Sequence, residues 1–219
     1  MNERNIPYTG AQAGAPALNK VLKNTYLLLS MTLLFSGAMA YAGLVMGIGH
    51  GAGLISSIAG IVMLWFVLPR TAESAAGIPV IFAITGLLGL GLAPVVGHYL
   101  AADPTIVMTA LGGTGAIFLG LSAYAVVSRR DFSFMGGFLF VGLFVVIGAA
   151  VLNIFLQMPV LFLVINAAIV LIMSGLILWE TSRIIHGGET NYIMATAGLF
   201  LSLLNMFQAL LHLLGAANE

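Results

Sequence analysis

Residues 134–179 read FMGGFLFVGLFVVIGAAVLNIFLQMPVLFLVINAAIVLIMSGLILW, a stretch without a charged side chain, interrupted only at Gln157, Met158 and Pro159. A helix needs about 20 apolar residues to cross the hydrocarbon core of a bilayer, and each half of this stretch supplies them. Proline is tolerated in the first turn of a helix, so the stretch predicts two spans, Phe134–Leu156 and Val160–Trp179, joined as a tight antiparallel hairpin. Outward from the hairpin lie five more apolar runs: Thr25–Met46, Gly53–Leu68, Ile78–Val96, Pro104–Val127 and Tyr192–Leu214. Gly53–Leu68 is short and ends at Pro69, which makes it the least secure span; tilt or local thinning of the bilayer would accommodate it. The predicted fold is an all-α membrane bundle of seven helices. It has a flexible tail over residues 1–24, a transmembrane domain over 25–215 and a short C-terminus over 216–219.

Composition agrees. Apolar residues make up 61% of the 219, charged ones 6%, and the mean hydropathy is +1.12. A soluble domain would carry roughly a quarter charged residues. Seven spans with short connections leave no room for a soluble catalytic or nucleic-acid-binding domain. The net charge of zero points to no polyelectrolyte partner, and the absence of cysteine excludes disulfides and thiolate chemistry. The first 20 residues lack an apolar core, so they read as a tail, and the first span as its own insertion signal.

The seven basic residues fix the expected orientation. Arg4, Lys20 and Lys23 lie in the tail, Arg70 in the second connection, Arg129 and Arg130 in the fourth, and Arg183 in the sixth. Cytoplasmic loops collect Lys and Arg, which places the N-terminus in the cytoplasm and the C-terminus outside.

Helices in lipid associate through small residues and polar side chains. Gly112, Ala116 and Gly120 recur every four residues in the fourth span, and Gly86, Gly89 and Gly97 mark the third, which predicts grooves for neighbouring helices. Asn153 and Asn166 in the hairpin predict interhelical hydrogen bonds, ahead of a role in a conduction path. In the seventh span Ser202, Asn205, Gln208 and His212 share one helical face, which should point into the bundle and either line a polar cavity or bond to neighbours.

Glu180 is the acidic residue nearest membrane depth, at the end of the sixth span, where it either reaches water or pairs with Arg183 or Arg70. The following loop carries Arg183, His186, Gly187, Gly188 and Glu189. The glycines make a turn there, and His186 is read as a plain loop residue ahead of a titrating one. His50, His98, His212 and Asp103 face the outer side without a ligand pattern, and no serine has a nucleophile signature. The sequence therefore calls for no metal, no cofactor and no enzymatic activity.

Gly175-Leu-Ile-Leu-Trp-Glu180-Thr181 resembles the signature of the Bax inhibitor-1 family. Asn19-Lys-Val-Leu-Lys-Asn-Thr-Tyr26, Arg130-Asp-Phe-Ser-Phe-Met-Gly-Gly137, Asn153-Ile-Phe-Leu-Gln157 and Ile185-His-Gly-Gly-Glu-Thr-Asn-Tyr192 extend the resemblance over nearly the whole chain. They are more specifically similar to its bacterial inner-membrane branch associated with FtsH, a membrane-anchored ATP-dependent protease that its members engage and can inhibit when they resist degradation. The resemblance implies six helices surrounding a central, more polar seventh. It implies a modulator of FtsH that is both inhibitor and slow substrate, with or without accessory membrane proteins, and with the N-terminal tail as the protease's handle. The alternative it implies is a pH-sensitive calcium leak, run in other members by two carboxylates and a basic residue. Glu180 matches the first carboxylate and Arg70 the base, while the second position holds Ser202, three residues before the shared Asn205, so the carboxylate pair is missing. Small-solute transport is a third reading, without an inverted repeat to support it.

Overall fold

The computed structural model describes residues 15–218, with side chains from Leu18 onward. Residues 1–14, the larger part of the expected tail, lie outside the described residues. Among the described residues there are seven helices long and apolar enough to cross a bilayer, and no strand. They are α1 (Ala15–Val45), α2 (His50–Thr71), α3 (Gly77–Ala102), α4 (Pro104–Ser128), α5 (Met135–Leu156), α6 (Pro159–Ile185) and α7 (Tyr192–Ala217).

Several boundaries differ from expectation: α3 runs on past Val96 to Ala102, and three others bear on the site. α1 starts at Ala15, not Thr25, because Leu18, Val21 and Leu22 recur at helical spacing; Val21 and Leu22 pack on the core while Lys20 and Lys23 stay exposed. Residues 15–24 are thus helix and not tail. α6 continues past Trp179 to Ile185, which sets Glu180 more than a turn inside the helix. α2 runs through Pro69 to Thr71. It does so by way of a π turn over Met63–Val67, in which the Leu68 N–H reaches the Met63 carbonyl. Proline has no N–H and its ring clashes with the carbonyl four residues back, so a widened turn just before it lets the helix continue.

The connections are closed by local chemistry. Arg129 and Gln157 adopt left-handed conformations (φ 50° each) and end α4 and α5, their N–H groups bonding the Ala125 and Asn153 carbonyls. Asp103 caps α4: its carboxylate accepts from the Thr105 N–H at 2.8 Å and the Thr105 hydroxyl at 2.7 Å. Those two bonds hold the Asp103 carboxyl below its usual value, as the Ser133 hydroxyl and amide do for Asp131. A depressed carboxylate stabilises the fold at pH above its unfolded value, and that contribution is lost as pH falls through the lowered folded value. We therefore expect the protection of the Thr105 and Ser133 amides, relative to their intrinsic exchange rates, to be lost only once pH falls below the ordinary carboxylate range. Loss of protection starting near neutrality would contradict the assignment.

Packing between helices runs on glycine where the sequence placed it in α3. A Cβ on Gly86 would meet the Phe35 ring of α1 at 2.8 Å, one on Gly89 the Ser36 carbonyl oxygen at 2.2 Å, and one on Gly97 the Leu44 side chain at 2.7 Å. From the other side α2 uses the same strategy, with Gly53 against Pro94 and Gly60 against Leu88, and the Ser56 hydroxyl donates to the Leu87 carbonyl at 2.8 Å. The expectation for α4 fails. Gly112, Ala116 and Gly120 are exposed on the outside of the bundle, and nothing lies within 4 Å of a Cβ built on Gly112 or Gly120. Spacing defines a face but does not say which neighbour covers it.

α7 packs against α1, α3, α4 and α6, and the core closes on its Leu199, Phe200, Leu203 and Met206. α2 joins the bundle chiefly through α3, and α5 through α6. These two outer helices leave clefts beside α7, and the candidate site lies in one of them. The outward faces carry large apolar residues such as Phe138, Phe144, Phe155 and Val127, the surface a helix presents to lipid.

Candidate functional site

Glu180 on α6 points at α7. Its Oε2 accepts a hydrogen bond from the Ser202 hydroxyl at 3.3 Å. The carboxylate lies directly over Gly198, where a Cβ would come within 2.4 Å of Oε1. Glycine at 198 is what allows the carboxylate to reach Ser202. Glu180 forms part of the wall of a cavity of about 350 Å³, whose apolar walls are Leu64, Trp65 and Leu68 of α2, Phe140 of α5 and Leu201 of α7.

Arg183 and Glu189 also line this cavity. Arg183 Nη2 stands 3.5 Å from Glu189 Oε2 and donates to the Gly188 carbonyl at 3.1 Å, and its guanidinium stacks 4.7 Å from the Trp179 ring centre. A planar cation over an indole face is a favourable pair, so Arg183 is held by aromatic and carboxylate together. It is the cation beside Glu180. Arg70, matched above to the family's base, is turned away: its Nη1 donates to the Phe66 carbonyl of its own helix and the side chain is exposed. Pro69 lines the cavity, and the next residue on a helix points about 100° away.

Of the four residues expected to form a pH- or ion-sensing group, the structure joins Glu180 and Ser202 and separates Arg70 and Asn205. Asn205 Nδ2 donates to the Leu201 carbonyl one turn back. Asn205 lines a second cavity, of about 390 Å³, together with Gln208 and His212 of α7, Asn166 of α6 and Asn153 of α5. The polar face of α7 therefore follows both expected readings: Ser202 bonds a neighbour, the other three line a cavity, and His212 does both, its Nδ1 lying 2.9 Å from the Tyr99 hydroxyl. Among the described residues the hairpin asparagines do not bond between helices. Asn166 donates to Phe162 of its own helix at 2.8 Å, and Asn153 accepts from the Met158 N–H at the hairpin turn.

The loop after α6 is a brace. His186 faces two carbonyls, Nδ1 at 2.9 Å from Ser182 O and Nε2 at 3.2 Å from Arg129 O, while the Ser182 hydroxyl accepts from the Phe132 N–H at 3.0 Å. The end of α6 is thereby fastened to the connection between α4 and α5. Asn191 fastens another connection: its Oδ1 accepts from the N–H groups of Ile193 and Met194 at the start of α7, and its Nδ2 donates to Ala72 O after α2 at 3.0 Å. Glu189 Oε1 in turn accepts from the Asn191 N–H at 2.9 Å. At the opposite end His50, His98, His212 and Asp103 do not assemble, and among the described residues no three His, Asp or Glu side chains could share a metal ion.

Gly198, Ser182 and Asn191 were not singled out from the sequence. An asparagine directly before an apolar run is a cap signal and could have identified Asn191. Gly198 and Ser182 carry no comparable signal, because their roles come from a neighbour distant in the chain.

The family model described as inhibitor of apoptosis-promoting Bax1 matches residues 18–219, the whole bundle with both cavities and the brace. The chain belongs to the Bax inhibitor-1 family. Within the family it is 49% identical over 202 residues to the Escherichia coli K12 protein named modulator of FtsH protease YccA, covering 92% of each chain. It is 48% identical over 203 residues to an uncharacterised membrane protein of Vibrio cholerae, covering 92% of this chain and 91% of that one. It is 40% identical over 220 residues to an uncharacterised protein of Pseudomonas aeruginosa, covering 100% of this chain and 99% of the other.

Proposed function

We propose that this protein is a multi-pass inner-membrane modulator of the FtsH protease, acting as inhibitor and slow substrate, with its N-terminus in the cytoplasm and its C-terminus in the periplasm. The observation that carries the proposal is the 49% identity, over 92% of the chain, to a protein named for that role. The architecture supports it: nearly the whole described chain is used in seven spans and their braces. The orientation is supported by basic residues at one set of helix ends: Arg70 and Arg183 in the last turns of α2 and α6, and Arg129 and Arg130 in the fourth connection. Asn191 links the second connection to the sixth, and His186 links the sixth to the fourth, so these loops form one face of the bundle. The calcium leak is not favoured, because Ser202 offers Glu180 a hydroxyl where a second carboxylate would be needed to share a proton.

The test is FtsH cleavage of a defined membrane substrate in proteoliposomes, with and without this protein at matched lipid content. We expect cleavage to slow several-fold; unchanged cleavage would overturn the proposal. Deleting residues 2–14, which leaves every described residue of α1 in place, should lengthen the lifetime of this protein in the presence of FtsH. An unaltered lifetime would remove the tail as the protease's handle.

A further inference from the structure

The cavity between α5, α6 and α7 is lined by polar groups that the bundle leaves unused. Asn166 and Asn205 each use an amide N–H on a carbonyl of their own helix, which leaves both Oδ1 atoms without a bond to any described residue. Asn153 uses its Oδ1 on the Met158 N–H, and its Nδ2 bonds to no described residue. Gln208 makes no side-chain hydrogen bond to any described residue, so its amide keeps both donor and acceptor capacity. Three acceptor oxygens and two donor nitrogens thus line one cavity of about 390 Å³.

Two properties narrow what can fill it. No Asp, Glu, Lys or Arg lines the cavity, and its imidazole, His212, is engaged with the Tyr99 hydroxyl, so a phosphate, an ammonium or a metal ion would give up its hydration without meeting a carboxylate, an ammonium or a guanidinium. The cavity is also a lateral cleft. α5 joins the bundle through α6, leaving α5 and α7 splayed, and the rim carries Ile154 and Phe162, exposed by 68% and 39%. The outside is apolar and the inside is rich in amides. That is the complement of a helix which is apolar along its length and carries one uncharged polar side chain. Between helices in lipid, amide and hydroxyl groups of this kind form the directional part of an interface.

We propose that this cleft seats a membrane-spanning helix of the protease, whose amide or hydroxyl side chain bonds to Asn205 and Gln208. The proposal rests on the FtsH reading and locates the contact within the bilayer, on the side away from the cytoplasmic brace. Ile154 and Phe162 cover the flanks of the incoming helix, and Asn166 and Asn153 complete the polar lining.

The experiment uses the full chain with purified FtsH in proteoliposomes, carrying a photo-crosslinking residue at Ile154 on the rim or at Met108 on the lipid-facing side of α4 as control. We expect adducts with a membrane-spanning segment of FtsH from position 154 and not from 108. The double variant Asn205→Leu, Gln208→Leu should lose most of the adduct and need at least ten-fold more protein for equal slowing of cleavage. Gln208→Asn, which keeps an amide, should retain most of the effect, and unchanged melting temperatures would show that the variants fold. Equal adducts from both positions, lipid adducts alone at 154, or a double variant that slows cleavage like the parent would each overturn the docking site and leave the FtsH reading standing. A parent chain that neither slows cleavage nor crosslinks would overturn both.

Discussion

Replacing Gly89 by valine is expected to lower the unfolding free energy by about 2–3 kcal/mol, the cost of forcing extra atoms into a filled interface. The Cβ alone would lie 2.2 Å from the Ser36 carbonyl oxygen and 2.9 Å from its carbon, both on the backbone of α1. A side chain can change rotamer, but a helix backbone can only move as a unit, so relief requires α1 to shift away from α3. Lipid fills the gap as readily as protein does, and no hydrophobic penalty pushes the pair back together. Gly120→Ala is the matched control. Its Cβ meets nothing within 4 Å, so removing a flexible glycine from a helix should leave stability unchanged or raise it by about 0.5 kcal/mol. Denaturant titration of the purified protein in mild detergent reads both, and the expectation fails if the two variants unfold alike.

The second large effect is expected at Asn191. Changing it to alanine removes the cap of α7, about 1 kcal/mol, and strips the Ala72 carbonyl of its donor, about 1 kcal/mol more. Asn191→Asp keeps the capping oxygen and loses only the amide donor, so it should fall between the parent and Asn191→Ala. The loss also has a functional side. Glu189 bonds the Asn191 N–H and stands against Arg183, so loosening the start of α7 loosens the charged residues beside the Glu180 cavity. Amide exchange at Ile193 and Met194 should rise in both variants, more in alanine. Equal stability of Asn191→Ala and the parent would show that the cap carries no weight.

The hairpin of α5 and α6 was legible because a charge-free stretch interrupted by Gln-Met-Pro admits few other readings, and α3 was legible through its glycines. The partners of each face were not. In water a helix announces its buried side by the contrast between apolar and polar residues, but in lipid both sides are apolar and the contrast vanishes. The ridge of Gly112, Ala116 and Gly120 was thus expected inside and lies outside. The polar face of α7 was legible because polar groups are costly in lipid and must find a cavity or a partner. What it could not disclose was the division of labour, with Ser202 on Glu180 and the remaining three toward a cleft. The cation beside Glu180 was half legible. Arg183 was one of two candidates, and only the turning of α2 around Pro69 takes Arg70 out of contention.

The π turn of α2 has one more consequence. Gly53, Ser56 and Gly60 before it face α3, whereas Leu68 and Pro69 after it face the Glu180 cavity. In an unbroken α-helix each residue advances the direction by about 100°, and the face begun by Gly53 and Gly60 would continue through Val67. The widened turn delays the phase by one residue, so Leu68, fully enclosed, takes the place that Val67 would otherwise hold. One rod is thereby cut to two different keys, the first half shaped for a glycine-lined helix and the second for the wall of a chamber. α2 therefore carries one residue more than its pitch demands, and the turn that takes up the surplus is the same one that spares Pro69 a clash with the preceding turn.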